Sequence, residues 1–488
     1  MVCLRSKVFV AMIRVICLVA FCFGLADSIA AAVHPNIVII LVDDMGYGDP
    51  SCYNPNSKIP TPNIDRLAAE GMRFTDAHAA GPLCHVSRYG LMTGRYPFRG
   101  NSGAWRKRAT IDEDCLTVGK LLQSEGYRTA MVGKWHLGFD ERGYEHPMPG
   151  GPVDRGFDRY FGIRASTDIP PYFYIRDDRA VSPPTAHIEA NYSDGWSPIQ
   201  GAFWRAGGIS PGLELKYVLP RFTNEAVDVI WNHARHHSGK PLFMYLAYPA
   251  PHTPWLPLSK YVGKSGAGMY GDFTVMVDDM IGRVLGALND AGMADDTLVL
   301  FSSDNGPVWR ASDVERWGHD SSGGLRGMKA DAWECGHRMP FIVRWPERVK
   351  AETTSNQLIG FTDIMATFAS VVGAELPEGA GPDSFDFSPV LLGKQPESEP
   401  IRESLVVHSG GGVATIRSGS WKLVTGLGSG GFSRPRRIQP SAGDPAGQLY
   451  HLGNDIGETK NLYLEEPDIV ARLTAELERI LASGRTRP

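Results

Sequence analysis

Six consecutive apolar residues, Ile37 to Val42, run directly into two aspartates, Asp43 and Asp44. A run so short and so rich in β-branched side chains is the pattern of a strand buried on both faces, as in a parallel sheet covered by helices. Arg128 to Val132, Leu242 to Ala247 and Thr297 to Ser303 read the same way. Helical patterns lie between them. Asn63 to Glu70 follows Pro62 and stops at Gly71, and Phe273, Val277, Ile281, Val284 and Leu288 repeat at helical spacing. The alternation predicts an α/β fold with a large, mostly parallel central sheet flanked by helices.

After about residue 385 the texture changes. Short strand-like pieces appear at Leu405 to Val407, Val413 to Ile416 and Trp421 to Val424. A loop rich in Gly, Ser, Arg and Pro runs from Gly426 to Gly447, and Ile469, Leu473, Leu477 and Ile480 mark a final helix after Pro467. The expected organisation is a signal peptide over 1–32, a large catalytic domain over 33–385 and a smaller C-terminal α+β subdomain over 386–488. Arg5, Lys7 and Arg14 give the leader a basic start, Val15 to Ala26 an apolar run too short to span a bilayer, and Ala30 to Ala32 small residues for cleavage. No second apolar run of spanning length follows, so the mature chain is expected to be secreted or periplasmic with no stable membrane span.

Of the seven cysteines, Cys3, Cys17 and Cys22 fall in the leader; Cys52, Cys84, Cys115 and Cys335 remain, too few for a disulfide scaffold and enough for one pair. A net charge of -5 argues against nucleic-acid binding, which wants a basic face.

In open α/β sheets, sites form beyond the carboxyl ends of the strands. All four strand candidates end in reactive polar groups: Asp43 and Asp44, Lys134 and His136, His252 just past a turn, and Asp304 with Asn305. The oxygens of Asp43, Asp44, Asp304 and Asn305 suit Ca²⁺, with Mg²⁺ as the alternative, rather than zinc. Carboxylates packed together repel unless a cation neutralises them. Lys134, His136, His252, Lys329 and Arg88 supply the charges and donors that a sulfuryl or phosphoryl group needs in its transition state. Cys84 precedes Ser87 to Met92, a short helix ending near Thr93-Gly94, and a helix N-terminus favours an anion and a depressed thiol pKa. Each residue alone reads equally well as a cap, a surface charge or a structural cysteine; the argument rests on the coincidence at four strand ends.

Cys84-His85-Val86-Ser87-Arg88, followed by Thr93-Gly94-Arg95, resembles the signature of the type I, formylglycine-dependent sulfatases of the alkaline phosphatase superfamily. Pro35 to Gly46, Gly133 to Gly138, Pro251-His252-Thr253-Pro254, Ser303 to Gly306, Leu325 to Lys329 and Leu449 to Leu462 follow in family order. The resemblance implies an arylsulfatase-like hydrolase in which Asp43, Asp44, Asp304, Asn305 and the modified Cys84 bind Ca²⁺. It implies that a formylglycine-generating enzyme oxidises Cys84 to an aldehyde, whose hydrate attacks sulfur with one hydroxyl and expels sulfate with the other. Arg88 and Lys134 would hold the diol. His252 and Lys329 would contact the sulfate, as would Lys134, and His136 would take a proton.

Two positions depart from the pattern. Val86 stands where the family has Pro or Ala, a position the maturation enzyme reads, and Cys335 stands where Gly is usual. Asp168, beside the aromatics of Pro171-Tyr172-Phe173-Tyr174, is a candidate substrate contact, as is His319; Asp320 and His337 could lie nearby. The implied substrate is a sulfated carbohydrate or an aryl sulfate. A phosphodiesterase or phosphonate hydrolase of the same superfamily, or an unconverted sulfoglycan-binding protein, are the other readings.

Overall fold

The structure, a computed structural model, describes residues 34–487. The leader over 1–32 lies outside them. Among the described residues, ten strands form one sheet: β1 (Asn36–Asp43), β2 (Met72–Phe74), β3 (Arg128–Lys134), β4 (Arg159–Ile163), β5 (Ile175–Arg176), β6 (Arg179–Ala180), β7 (Leu242–Pro251), β8 (Thr297–Ser303), β9 (Phe341–Arg344) and β10 (Thr353–Ser355). Their spatial order is β10-β2-β9-β8-β1-β7-β3-β4-β5-β6. The central strands β8, β1, β7, β3 and β4 are mutually parallel. β9 runs antiparallel to β8 and β2, β5 turns back on β4, and β6 turns back on β5. The strands missed by sequence reading are mostly these edges, too short for any periodicity to register.

The period of two along β1 divides its side chains between two cores. Ile37, Ile39 and Leu41 pack with Leu91 of α2 (Cys84–Thr93) and Leu121 of α3 (Val118–Ser124). Val38, Ile40 and Val42 pack with Leu67 of α1 (Pro62–Ala69), Ile230 of α4 (Val218–His236) and Ile281 of α5 (Gly268–Asp290). Every residue of β1 after Asn36 is buried, which is why the run lacks polar alternation. Burying each of its apolar side chains, Ile37 to Val42, stabilises the fold by about 1.5–3 kcal/mol.

Among the described residues a second sheet is antiparallel and four-stranded: β11 (Ser404–His408), β12 (Ala414–Ser418), β13 (Trp421–Val424) and β14 (Gln448–His451). Leu473, Leu477 and Ile480 of the final helix (Pro467–Ala482) cover Val406, Ile416 and Leu423. From this sheet Arg417 reaches Asp76 at 2.9 Å and Lys422 reaches Glu334 at 3.0 Å.

Candidate active site

The parallel strands deliver their ends to one edge of the sheet. Asp43 closes β1 and Lys134 closes β3, while His252 follows β7 and Asp304 with Asn305 follow β8. Cys84 is the first residue of α2, which starts earlier than the sequence suggested; Arg88 lies one turn on and shares its face. Asp44, His136 and Ala330, the neighbour of Lys329, hold left-handed backbone with φ of 64°, 60° and 73°. Non-glycine residues in that region cluster where a site dictates the backbone.

The side chains interlock. Cys84 Sγ lies 3.2 Å from Asp43 Oδ1 and 3.3 Å from Lys329 Nζ. Lys329 Nζ donates to Asp44 Oδ1 at 2.5 Å, and Lys134 Nζ donates to Asp43 and, at 2.6 Å, to Ser166 Oγ. Arg88 donates through Nε and Nη2 to Asp304 Oδ2 at 3.0 and 2.8 Å, and through Nη1 to the Lys134 carbonyl at 2.9 Å. His252 Nε2 stands 3.6 Å from Asp44 Oδ2.

Burial alone would raise the Asp43 carboxyl, but Lys134, then His252 and Arg88, hold it well below the usual carboxylate range. Asp304 moves the other way, raised by burial and by Asp43. Burial opposes the charge on Lys134, yet Asp43 keeps its ammonium above the ordinary value; Asp44 does the same for Lys329. Burial, then Lys134, drives His136 far down, so it is a neutral imidazole, and both its ring nitrogens are buried without a partner. The expectation of a depressed Cys84 pKa is overturned. Burial, then Asp304 and Asp43, push that thiol well above its ordinary value, and these outweigh the helix terminus and the two lysines. As a thiol, Cys84 is neutral and a poor nucleophile.

The donor set fits a hard divalent ion. Asn305 Nδ2 donates to Asp44 Oδ1 at 2.6 Å and to the Gly306 carbonyl at 2.9 Å, while its own Oδ1 is buried with no partner. Leaving such an acceptor unsatisfied costs about 1–3 kcal/mol, and a cation would satisfy it. Ligand atoms of Asp43, Asp44, Cys84 and His252 all lie within 4.8 Å of one another.

The Sulfatase family profile matches residues 35–374. The chain belongs to the sulfatase family. It is thus a sulfuric ester hydrolase of the alkaline phosphatase superfamily. It is 34% identical over 492 residues to the N-acetylgalactosamine-6-O-sulfatase of Bacteroides thetaiotaomicron, covering 93% of each chain. It is 33% identical to human arylsulfatase A, covering 90% of this chain and 85% of the relative. A solved structure from the metabolism of multiple glycosaminoglycans by Bacteroides thetaiotaomicron superposes with a TM-score of 0.81 at 32% identity, over 93% of this chain and 100% of that one. These relatives do not favour the phosphodiesterase alternative.

Two sequence candidates for substrate contact part company in the sulfatase. Asp168 is buried beside the cluster; its Oδ1 lacks a hydrogen bond and lies 3.9 Å from His252 Nδ1, while Oδ2 pairs with Arg205. His319 stands apart from the cluster. Its Nε2 pairs with Asp49 Oδ1 at 2.9 Å and its Nδ1 accepts from the Lys58 amide at 3.3 Å, so both nitrogens are taken. Asp49 in turn accepts from Tyr270, whose hydroxyl lies 3.2 Å from the Asp44 carbonyl, so His319 braces the aspartate loop from behind. Asp320 caps its own turn through Ser322 and Gly324, and His337 lies against His78, Nδ1 to Nδ1 at 2.9 Å.

Ser166 and Arg205 escaped the sequence reading, because a lone serine and a lone arginine in loops carry no spacing signal. Cys52, Cys84, Cys115 and Cys335 are all unpaired. Cys335 is buried, and its carbonyl oxygen would lie 1.8 Å from a Cβ on Gly306, so residue 306 must be glycine.

Proposed function

We propose that this sulfatase hydrolyses sulfate esters of a sulfated carbohydrate, with Cys84 converted to formylglycine and Ca²⁺ held by Asp43, Asp44, Asp304 and Asn305. The observation that carries the reading is the position of Cys84 Sγ, between the Asp43 carboxylate and the Lys329 ammonium, where burial and the neighbouring carboxylates disfavour ionisation of the unmodified thiol. The named relatives make 6-O-sulfated N-acetylgalactosamine the first substrate to test, with aryl sulfates as a generic assay.

Asp43, Asp44, Asp304 and Asn305 would hold Ca²⁺, which would supply charge withdrawal from a sulfate oxygen, and the oxidised, hydrated side chain at position 84 would supply one hydroxyl for attack at sulfur and a second for release of the sulfate. Lys134 and Arg88 hold the side chain at position 84 and counter its developing charge. Lys329 and His252 face the sulfate, and between them they deliver a proton to the leaving oxygen. The His252 Nδ1 proton points at the Thr253 carbonyl 2.7 Å away, which fixes the ring so that Nε2 faces the site. His136, neutral and unpartnered, accepts a proton from the second hydroxyl. The remaining carboxylate at the mouth, Asp168, accepts from sugar hydroxyls. Export through the leader places the mature enzyme in the periplasm or outside the cell, after a formylglycine-generating enzyme has acted on Cys84.

The test uses protein from a host with that maturation enzyme. Mass spectrometry of the peptide containing residue 84 should show the aldehyde, and the protein should release sulfate from 6-O-sulfated N-acetylgalactosamine and from an aryl sulfate. Cys84→Ala should abolish both activities. Absence of turnover from protein shown to carry the aldehyde would end the proposal.

A further inference from the structure

A cleft of about 230 Å³ lies between the segment that carries Cys84 and the C-terminal sheet, and the proposed chemistry does not use it. Leu83, His85 and Val86 line one side, His408 and Ser409 the other, with Phe98 between them. The cleft adjoins the reaction pocket. His85 follows Cys84 in the chain, and its ring centroid is 5.7 Å from that of His136. Ala330, next to Lys329, donates its amide to the Pro82 carbonyl and accepts from the Gly410 amide, both at 2.8 Å, so it ties the two walls together.

The chemistry of the walls is selective. Among the described residues that line the cleft there is no Lys, Arg, Asp or Glu. Arg99 lies over the Phe98 ring, but its guanidinium is committed to Asp383 at 2.7 and 2.8 Å. Burial pushes the His408 imidazole down, so it is a neutral donor–acceptor. His408 Nε2 is buried with no partner. Phe98 is held by stacking on Tyr96 at 5.3 Å and by His408 at 5.0 Å.

We propose that this cleft is a second sugar subsite, and that its occupant is an uncharged hexose residue linked to the sulfated one. The proposal rests on the sulfatase-on-glycan reading above. A ring with an apolar face and hydroxyl edges matches Phe98 and the imidazoles of His85 and His408. A uronate or a second sulfate would lose its hydration with no counter-charge to replace it. Val86 gains a role here. Its branched side chain forms part of the wall, and its Cγ2 would lie 2.6 Å from a Cβ on Gly81. The departure from the family's Pro or Ala is thus the shape of the subsite.

The full-length, converted enzyme is assayed on an aryl sulfate, on 6-O-sulfated N-acetylgalactosamine, and on disaccharides linking that residue to galactose or to glucuronate. The galactose-linked disaccharide should show a KM about tenfold below the monosaccharide, as one or two new polar contacts would give, and the glucuronate-linked one should not. His408→Ala and Phe98→Leu should each erase that advantage while leaving aryl sulfate turnover unchanged. Equal KM values for the three sugars, a preference for the uronate, or variants that lose aryl sulfate turnover in step would overturn the subsite. If no sulfate ester is turned over, the functional reading fails separately. The subsite is then decided by calorimetric titration of the enzyme with unsulfated N-acetylgalactosaminyl-galactose, whose binding should be lost in His408→Ala; no binding to the wild type would overturn it.

Discussion

Arg88 is enclosed entirely by acceptors: Asp304, Asp43 and the Lys134 carbonyl take its protons, and no part of its side chain meets solvent. Removing one partner of a buried pair strands the other charge, so Arg88→Met should destabilise the fold by about 3–5 kcal/mol, read as a lower urea midpoint. A loss below about 1 kcal/mol would mean that the two aspartates are neutralised by something else. The raised Asp304 carboxyl and the orphaned Asn305 Oδ1 make a second prediction at this scale. Ca²⁺ at about a hundred times its Kd should add about 2.7 kcal/mol of stability, and chelation should lower the melting temperature by the same linkage. An unchanged melting temperature with chelator would remove the metal from the reading.

Helix α2 presents Cys84 and Arg88 as one unit, so its ends matter as much as its faces. It stops at Gly94, which is left-handed at φ 62°; a Cβ there would stand 2.8 Å from the Gly381 Cα. Gly94→Ala should therefore cost at least about 1–2 kcal/mol in thermal or urea unfolding, since both backbone strain and a backbone clash oppose it. A neutral substitution would mean that the loop at Gly381 moves freely. The C-terminal stop was legible in Thr93-Gly94, because glycine after a helix is a local signal. The start was not. Ser87 suits a cap by composition, but the extended Leu83 caps the helix in the structure without a side-chain bond, so Cys84 falls inside it.

Across the whole molecule, buried charges join the C-terminal sheet to the catalytic unit. Lys422 bridges Glu334 and Glu458 at 3.0 and 2.9 Å, and Arg417 pairs with Asp76. Burial, opposed by Lys422 and reinforced by Glu334, pushes the Glu458 carboxyl from 4.5 up to about 7. The folded chain therefore keeps a proton that the unfolded chain releases. The stability from this group is fully present below pH 4.5 and is lost as pH rises through about 7. Glu458→Gln stays neutral throughout. The stability of the wild type relative to this variant should thus fall by about 1–3 kcal/mol across that window, measured as urea midpoints. A flat difference would show that Glu458 is charged in the folded state.

The sequence by itself determined the strand identity of β1, the oxygen and cation sets at the strand ends, and the family signature around Cys84. These are properties of neighbouring residues, and periodicity or composition reads them directly. Only the tertiary structure decided which groups pair. Arg88 finds Asp304 across 216 positions and Lys329 finds Asp44 across 285, while His319 is drawn away to Asp49. The tertiary structure also set the sign of the Cys84 pKa and composed the uncharged cleft behind it. Burial and electrostatic environment sum over contacts between distant segments, and no local pattern in the chain records that sum.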